Sequence, residues 1–250
     1  MKNTVMVITG ASGGIGAALA IQAAGCGAAL VLVARRAEAL ADVAAQCGER
    51  SLCIAADVTN RDAVNNIVAQ SIATFGRIDV WVNNVGQGIS RMPSQLTDDD
   101  IDEMIRINVK SALYGMQAVL PHFQARDAGH IVNVSSMLGR TPFALIRSAY
   151  NGSKHFLNAL TANFRDEVQQ THPGIQVSLV SPGVVRTDFG LNAMHGGTDN
   201  RLLPESQSAD EVAAVILQVI ETRRPDVYTR AGARERVLGY LGALTSDPQG

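Results

Sequence analysis

Aromatic residues are scarce in this chain: one Trp, four Tyr and six Phe among 250 residues. The core must therefore be assembled from Ala, Val, Leu and Ile, with close backbone approaches at many of the 23 glycines. Cysteine is nearly absent. Cys26, Cys47 and Cys53 are odd in number and form no Cys-x-x-Cys pair, which excludes a disulfide framework and a zinc site and points to a reducing compartment. The three are expected to be small buried hydrophobes. The histidines His122, His130, His155, His172 and His195 lack ligand spacing, so no metal is expected. An excess of either charge is also missing. Lys and Arg total 21 against 23 Asp and Glu, for a net charge of −2, which excludes a basic field for nucleic acid or an anionic membrane. Finally, there is no unbroken apolar run long enough for a membrane span. Thr4 to Ala34 carries no charge, but Gly10, Gly13, Gly14, Gly16, Gly25 and Gly27 interrupt it. It reads as strand, glycine turn, helix and strand, and a cytoplasmic protein is expected.

What the chain does have is regular alternation. Hydrophobic residues at 46% and charged residues at 18% describe a globular protein. Short β-branched runs start at Val5, Leu30, Leu52, Val80, Ile131, Val177 and Val227. Between them lie helical segments over Ile15–Cys26, Ala37–Gln46, Arg61–Phe75, Asp98–Gln124, Ser148–Val168 and Ala209–Glu221. Continuous apolar runs mark strands buried on both faces. Strict βαβ alternation predicts a doubly wound parallel sheet of Rossmann type, with about seven strands and helices on both faces. Residues 1–250 read as one domain, since no linker divides them. Ligands of such a sheet bind beyond the carboxyl ends of the strands. The long loop over residues 190–207 is expected on the substrate side.

Three features carry chemistry. Thr9-Gly10-Ala11-Ser12-Gly13-Gly14-Ile15-Gly16 follows the first strand and opens a helix. Glycines there let backbone N–H groups approach a pyrophosphate at the positive helix end. Ala34-Arg35-Arg36 ends the second strand where an acid would serve a free ribose 2′-hydroxyl. Two guanidinium groups suit a 2′-phosphate instead. Tyr150 and Lys154 stand four apart on a helix, hence on one face. A cation beside a phenol is expected to lower its pKa from about 10 and make it a usable acid or base for carbonyl–alcohol interconversion. In isolation each motif has an ordinary structural explanation: a tight turn, a solvated arginine pair, a surface Tyr–Lys pair. Asp98-Asp99-Asp100 after Thr97 reads as a helix cap, not a metal site.

The order Thr9–Gly16, Asp57-Val58, Asn83-Asn84-Val85-Gly86, Asn108, Asn133-Val134-Ser135-Ser136, Tyr150-xxx-Lys154 and Ser181-Pro182-Gly183 resembles the short-chain dehydrogenase/reductase family over nearly the whole length. The resemblance implies catalytic roles for Asn108, Ser136, Tyr150 and Lys154. Tyr150 would be the acid/base, Ser136 would hold the substrate oxygen, and Asn108 would anchor a proton relay. Lys154 would hold the nicotinamide ribose and lower the phenol's pKa. Ser136 is preferred to Ser135 because Ser136-Met137-Leu138-Gly139 matches the family's Ser-x-x-Gly. Ser136 and Tyr150 lie 14 residues apart, one more than the family's usual spacing, so an insertion is expected between them. Cofactor contacts are implied for Gly10, Ser12, Gly14, Ile15, Gly16, Asp57, Val58, Asn84, Gly86, Val185 and Thr187, with Arg35 and Arg36 at the 2′-phosphate. Val85 stands where the family has Ala.

The expected protein is thus an NADP(H)-dependent oxidoreductase, with NADP(H) favoured over NAD(H). Its expected partners are a small carbonyl or alcohol substrate and further copies of itself, as a homodimer or homotetramer. Met137, Phe143, Leu145, Phe189, Leu191, Met194, Leu202 and Leu203 around the inferred pocket suggest an apolar or amphipathic substrate. An NAD(H)-preferring dehydrogenase, an epimerase or dehydratase of the longer related group, and a non-catalytic NADP(H) sensor remain alternatives.

Overall fold

The structure is a computed structural model that describes residues 1–244. Seven parallel strands run β1 Val5–Thr9, β2 Ala29–Ala34, β3 Ser51–Ala55, β4 Val80–Asn83, β5 Gly129–Val134, β6 Ile175–Ser181 and β7 Asp226–Tyr228. Their order across the sheet is β3-β2-β1-β4-β5-β6-β7. Helices α1 Gly14–Gly25, α2 Ala37–Cys47, α3 Arg61–Phe75, α4 Asp98–Ile105, α5 Ser111–Gln124, α6 Ser148–Thr171, α7 Ala209–Thr222 and α8 Ala233–Leu244 complete the chain. None of the described helices is long and apolar enough to cross a membrane.

The five central strands are buried along their whole length, and only the edges β3 and β7 reach solvent. Side chains alternate between the two faces. Met6, Ile8, Leu30, Leu32 and Val132 meet α1 and α7 through Leu19, Val212 and Ile216. Val7, Val31, Trp81, Ile131 and Val177 meet α3, α5 and α6 through Ile67, Phe123 and Phe164. A buried polar chain ties the centre of the sheet to α6. Trp81 Nε1 donates to Asn83 Oδ1 (2.7 Å), Asn83 Nδ2 to Asn133 Oδ1 (2.8 Å), and Asn133 Nδ2 to the Thr161 hydroxyl (2.9 Å).

The structure corrects two expectations and adds one element. The cysteines are not buried: Cys26 and Cys53 are exposed and Cys47 is half-buried. Cys26 caps the end of α1, and Cys53 lies on the edge strand β3, where its thiol reaches the Leu40 carbonyl of α2 but stays exposed. The segment Asp98–Gln124 is two helices, because a π-turn at Arg106–Lys110 separates α4 from α5. Helix α8 had no counterpart in the reading of the sequence, since its charges and glycines blur the apolar pattern.

Chain connections reverse direction between β1 and β4, which opens a crevice at the carboxyl edge of the sheet. The glycine turn after β1 and the Asn84–Gly86 turn after β4 form its lips.

Candidate active site

The glycine turn is built by two local demands. Gly10 has φ +68°, a left-handed conformation that L side chains resist. Gly16 lies in the first turn of α1 so close to Gly10 that a Cβ there would stand 2.3 Å from the Gly10 carbonyl oxygen. Helix α1 starts with no side-chain cap and no acid in its first turn, so its N–H groups and positive end are left for an anion. Asn84 Nδ2 braces the turn from the other lip through Thr9 O (3.2 Å) and Gly10 O (3.3 Å). Arg36 Nη2 reaches Ser12 O and Oγ, both at 3.3 Å, and so closes over the turn. Arg35 instead directs its charge at Asp57 and Glu103. Asp57 Oδ1 accepts from Thr59 N (2.9 Å) and Thr59 Oγ1 (2.8 Å), while Val58 is buried. Beyond β6, Val185 bridges to Gln207 and Thr187 packs its methyl beside Gly14, forming the opposite wall.

The four residues of the catalytic reading converge further along the same edge. Ser136, in extended backbone after β5, accepts from Leu138 N at 3.1 Å and bears on the Tyr150 phenol, whereas Ser135 turns away to donate to Asn158. Lys154 Nζ donates to Val134 O at 3.0 Å. Asn108 belongs to the π-turn, a device that re-aims a helix side chain. Its Oδ1 accepts from Gln87 N (2.8 Å), and its Nδ2 donates to Gln87 O (2.9 Å) and Ser153 Oγ (3.1 Å). Gly86 lies between the two: a Cβ there would stand 3.3 Å from Asn108 Oδ1 and 3.5 Å from Lys154 Nζ.

The electrostatics of the tyrosine differ from the simple pairing. Burial pushes the Tyr150 phenol up to about 12, against the opposing pull of the Ser136 hydrogen bond and the Arg147 charge. Burial likewise brings Lys154 down to about 8. The lysine does not lower the phenol's pKa here. Its ammonium is 5.9 Å from the tyrosine ring centre and is turned to the Val134 carbonyl. Arg147 is the cation that acts on Tyr150, and it stands at the N-cap of α6, three residues before it.

The loop over residues 190–207 is tied down beside Tyr150. Met194 exchanges backbone hydrogen bonds with Gly88 and Ser90, each 2.9 Å. Thr97 and Asp100 form the expected capping box of α4. Asp100 is also buried, and it binds Arg91 Nη1 and His195 Nε2, both at 2.7 Å. The His195 hydrogen bond, foremost, and the Thr97 N–H hold its carboxyl well below the ordinary range. No sequence motif contains Arg91 or Arg147, and His195 reads there only as a histidine without ligand spacing. For Arg147 the three-residue spacing to Tyr150 was the available signal; the other two have none.

A family model described as short chain dehydrogenase matches residues 4–195. The chain belongs to the short-chain dehydrogenase family. An uncharacterized oxidoreductase of Staphylococcus epidermidis is 34% identical over 224 residues, covering 87% of this chain and 93% of that protein. A Burkholderia phymatum short-chain dehydrogenase/reductase in complex with NAD superposes with a TM-score of 0.88 at 24% identity, over 99% and 98% of the two chains. An alcohol dehydrogenase of Thermococcus sibiricus complexed with 5-hydroxy-NADP gives a TM-score of 0.78 at 26% identity, over 91% and 96%. The nicotinamide dinucleotide of such relatives fits the residues present. The glycine cradle that a Cβ would fill and the uncapped, positive start of α1 suit a pyrophosphate.

Proposed function

We propose that this short-chain dehydrogenase is an NADP(H)-dependent oxidoreductase that interconverts a carbonyl and a secondary alcohol on an apolar or amphipathic small molecule. Tyr150 is its acid/base. The reading rests on one observation above all. Buried Ser136 and Tyr150 stand in the crevice that begins at the glycine turn, with Lys154 and Asn108 meeting around Gly86.

Gly10, Ser12, Gly14, Ile15 and Gly16 would hold the pyrophosphate, and Asp57 and Val58 the adenine. Asn84, Gly86, Val185 and Thr187 would line the nicotinamide end, with Lys154 and Tyr150 at its ribose. Bound in reduced form, the nicotinamide supplies a hydride. Ser136 and Tyr150 then donate to the substrate oxygen and stabilise the charge that develops there. A phenol whose pKa is pushed up to about 12 keeps its proton at neutral pH, which suits it to give that proton to a reduced carbonyl. Asn108, held at both ends by Gln87, keeps Ser153 in register beside Lys154. The loop over residues 190–207 forms the substrate side, and the protein acts as a homodimer or homotetramer in the cytoplasm.

Tyr150→Phe should lower turnover of ketones by roughly 10²–10⁴-fold while NADPH affinity, followed by fluorescence titration, stays within several-fold. A protein that binds NADPH but reduces no carbonyl in a broad panel, before or after this change, would be a sensor.

The 2′-phosphate preference is assigned to Arg35 and Arg36. Either residue changed to Ala should weaken NADPH by roughly 10–100-fold, the worth of a charge-assisted hydrogen bond, and leave NADH unchanged. Equal NADPH and NADH affinities in the unaltered protein would overturn the arginine assignment and favour the NAD(H)-preferring reading.

A further inference from the structure

Helix α6 begins in a way that local physical chemistry disfavours. Its N-cap residue is Arg147, no side chain caps it, and its first turn holds no acid. Polar caps such as Ser or Asp, and acids in the first turn, stabilise such an end, whereas a cation there is repelled by the helix dipole. The guanidinium is also half-buried, and burial pulls its pKa down. Among the described residues no carboxylate pairs with it; its one charge partner is the Tyr150 phenol. Its single side-chain hydrogen bond runs from Nη1 to the Ile89 carbonyl at 3.1 Å, so most of its five donors are unspent. The nearby Arg91, by contrast, is neutralised by Asp100.

Space has been left for this group. A Cβ at Gly88 would stand 2.6 Å from Nη1, and one at Gly197 would stand 3.1 Å from Nη2. The guanidinium therefore lies between the Gly88–Ile89 segment, the 190–207 loop and Tyr150. The remaining surroundings of Tyr150 are apolar: Ile89, Met104, Leu138, Phe189 and Met194 pack around it, with the Phe189 ring 5.5 Å from its own. A desolvated, unpaired cation is costly to keep. A planar fork with free donors is matched by a carboxylate, which it binds in bidentate fashion.

We infer that Arg147 is the substrate-anchoring residue of this site, and that the substrate is an amphipathic oxo acid, or the corresponding hydroxy acid, whose carboxylate binds Arg147 while its carbonyl oxygen meets Ser136 and Tyr150. The inference rests on the oxidoreductase reading above and narrows its substrate class. In the reduction, the carbonyl carbon gains a hydride and the oxygen gains the Tyr150 proton. The carboxylate stays unchanged on the guanidinium.

The test is calorimetric titration of the NADP⁺-loaded protein with 2-oxo and 4-oxo acids of four to six carbons and with their methyl esters, beside kcat/KM for the same pairs with NADPH. At least one acid should bind roughly 10–100-fold tighter than its ester. Arg147→Met should bring that ratio to about one, and Arg147→Lys should restore part of it, as a point charge without the fork. NADPH affinity and a melting curve report whether each variant is folded. Esters that bind as well as acids, a ratio that survives Arg147→Met, or the absence of binding by every acid would each overturn the inference. If neutral ketones are still reduced through Tyr150 in those cases, the oxidoreductase reading stands and only the carboxylate assignment falls.

Discussion

Gly16→Ala should abolish tight cofactor binding. A single methyl at this position meets the Gly10 carbonyl oxygen at 2.3 Å, Asn84 Nδ2 at 2.7 Å and the Gly10 carbonyl carbon at 2.9 Å. Two of the three are backbone atoms of the turn itself and cannot rotate away. The turn must open, and overpacking of this kind costs about 1–3 kcal/mol of stability. Losing one charge-assisted hydrogen bond from these N–H groups is expected to weaken a bound pyrophosphate by roughly 10–100-fold. Gly25→Ala, at the far end of the same helix, is the matched control, because nothing lies within 4 Å of its added Cβ. It should be neutral or stabilise by about 0.5–1 kcal/mol. Fluorescence titration with NADPH and thermal melting of both variants decide the matter. Wild-type affinity in Gly16→Ala would remove the glycine turn from the cofactor site.

Lys154→Met should make the protein more stable and useless. The buried ammonium has a single backbone acceptor and a pKa drawn down to about 8 from 10.5 by desolvation. At neutral pH the folded protein therefore carries a charge that burial opposes by about 3 kcal/mol. Methionine removes that penalty and gives back about 1 kcal/mol by leaving the Val134 carbonyl unpartnered. The net gain of about 2 kcal/mol corresponds to a rise in Tm of roughly 4–8 °C for a chain of this size.

The sign of the pH dependence follows from the depressed value. The burial penalty of Lys154 is absent above pH 10.5, where the amine is neutral in both states, grows as pH falls from 10.5 toward 8, and is complete below about 8. The advantage of Lys154→Met is thus full below about pH 8 and closes by about pH 10.5. Turnover should fall at every pH, because the residue assigned to the ribose and to the proton path is gone. A site that keeps a destabilising charge for function is a familiar trade between stability and activity. A lower Tm for the variant at pH 7 would show that the ammonium is better solvated than its burial implies.

Much of the architecture was legible because its signals are local. β-branched runs of four residues separated by helical periods specify a parallel sheet, and Val5, Leu30, Val80, Ile131 and Val177 all fall inside buried central strands. The capping box of Thr97 and Asp100 is a four-residue pattern and forms as read. The exposure of Cys53 was not legible, because edge and central strands share composition and differ only in having a neighbour. The π-turn at Arg106–Lys110 was not legible either. It arises where Asn108 must reach Gln87 across the crevice, a demand set by residues 21 positions away. Asp100 read as a surface cap, and its burial against Arg91 and His195 appears only once the loop over residues 190–207 folds back over α4.

The same division runs through the site. Chain order alone determined that a glycine turn follows the first strand, that Tyr150 and Lys154 share a helix face, and that their chain carries the family's series of motifs. These depend on spacing within a turn or two, which backbone geometry converts directly into position. Folding decided which cation bears on the tyrosine and what its proton affinity is. Ser136, already preferred on its Ser-x-x-Gly context, is set apart in the fold because Ser135 is spent on Asn158. Arg147 outweighs Lys154 because the ammonium is spent on a backbone carbonyl. The phenol is pushed up because desolvation, a property of everything packed around it, exceeds any single neighbouring charge.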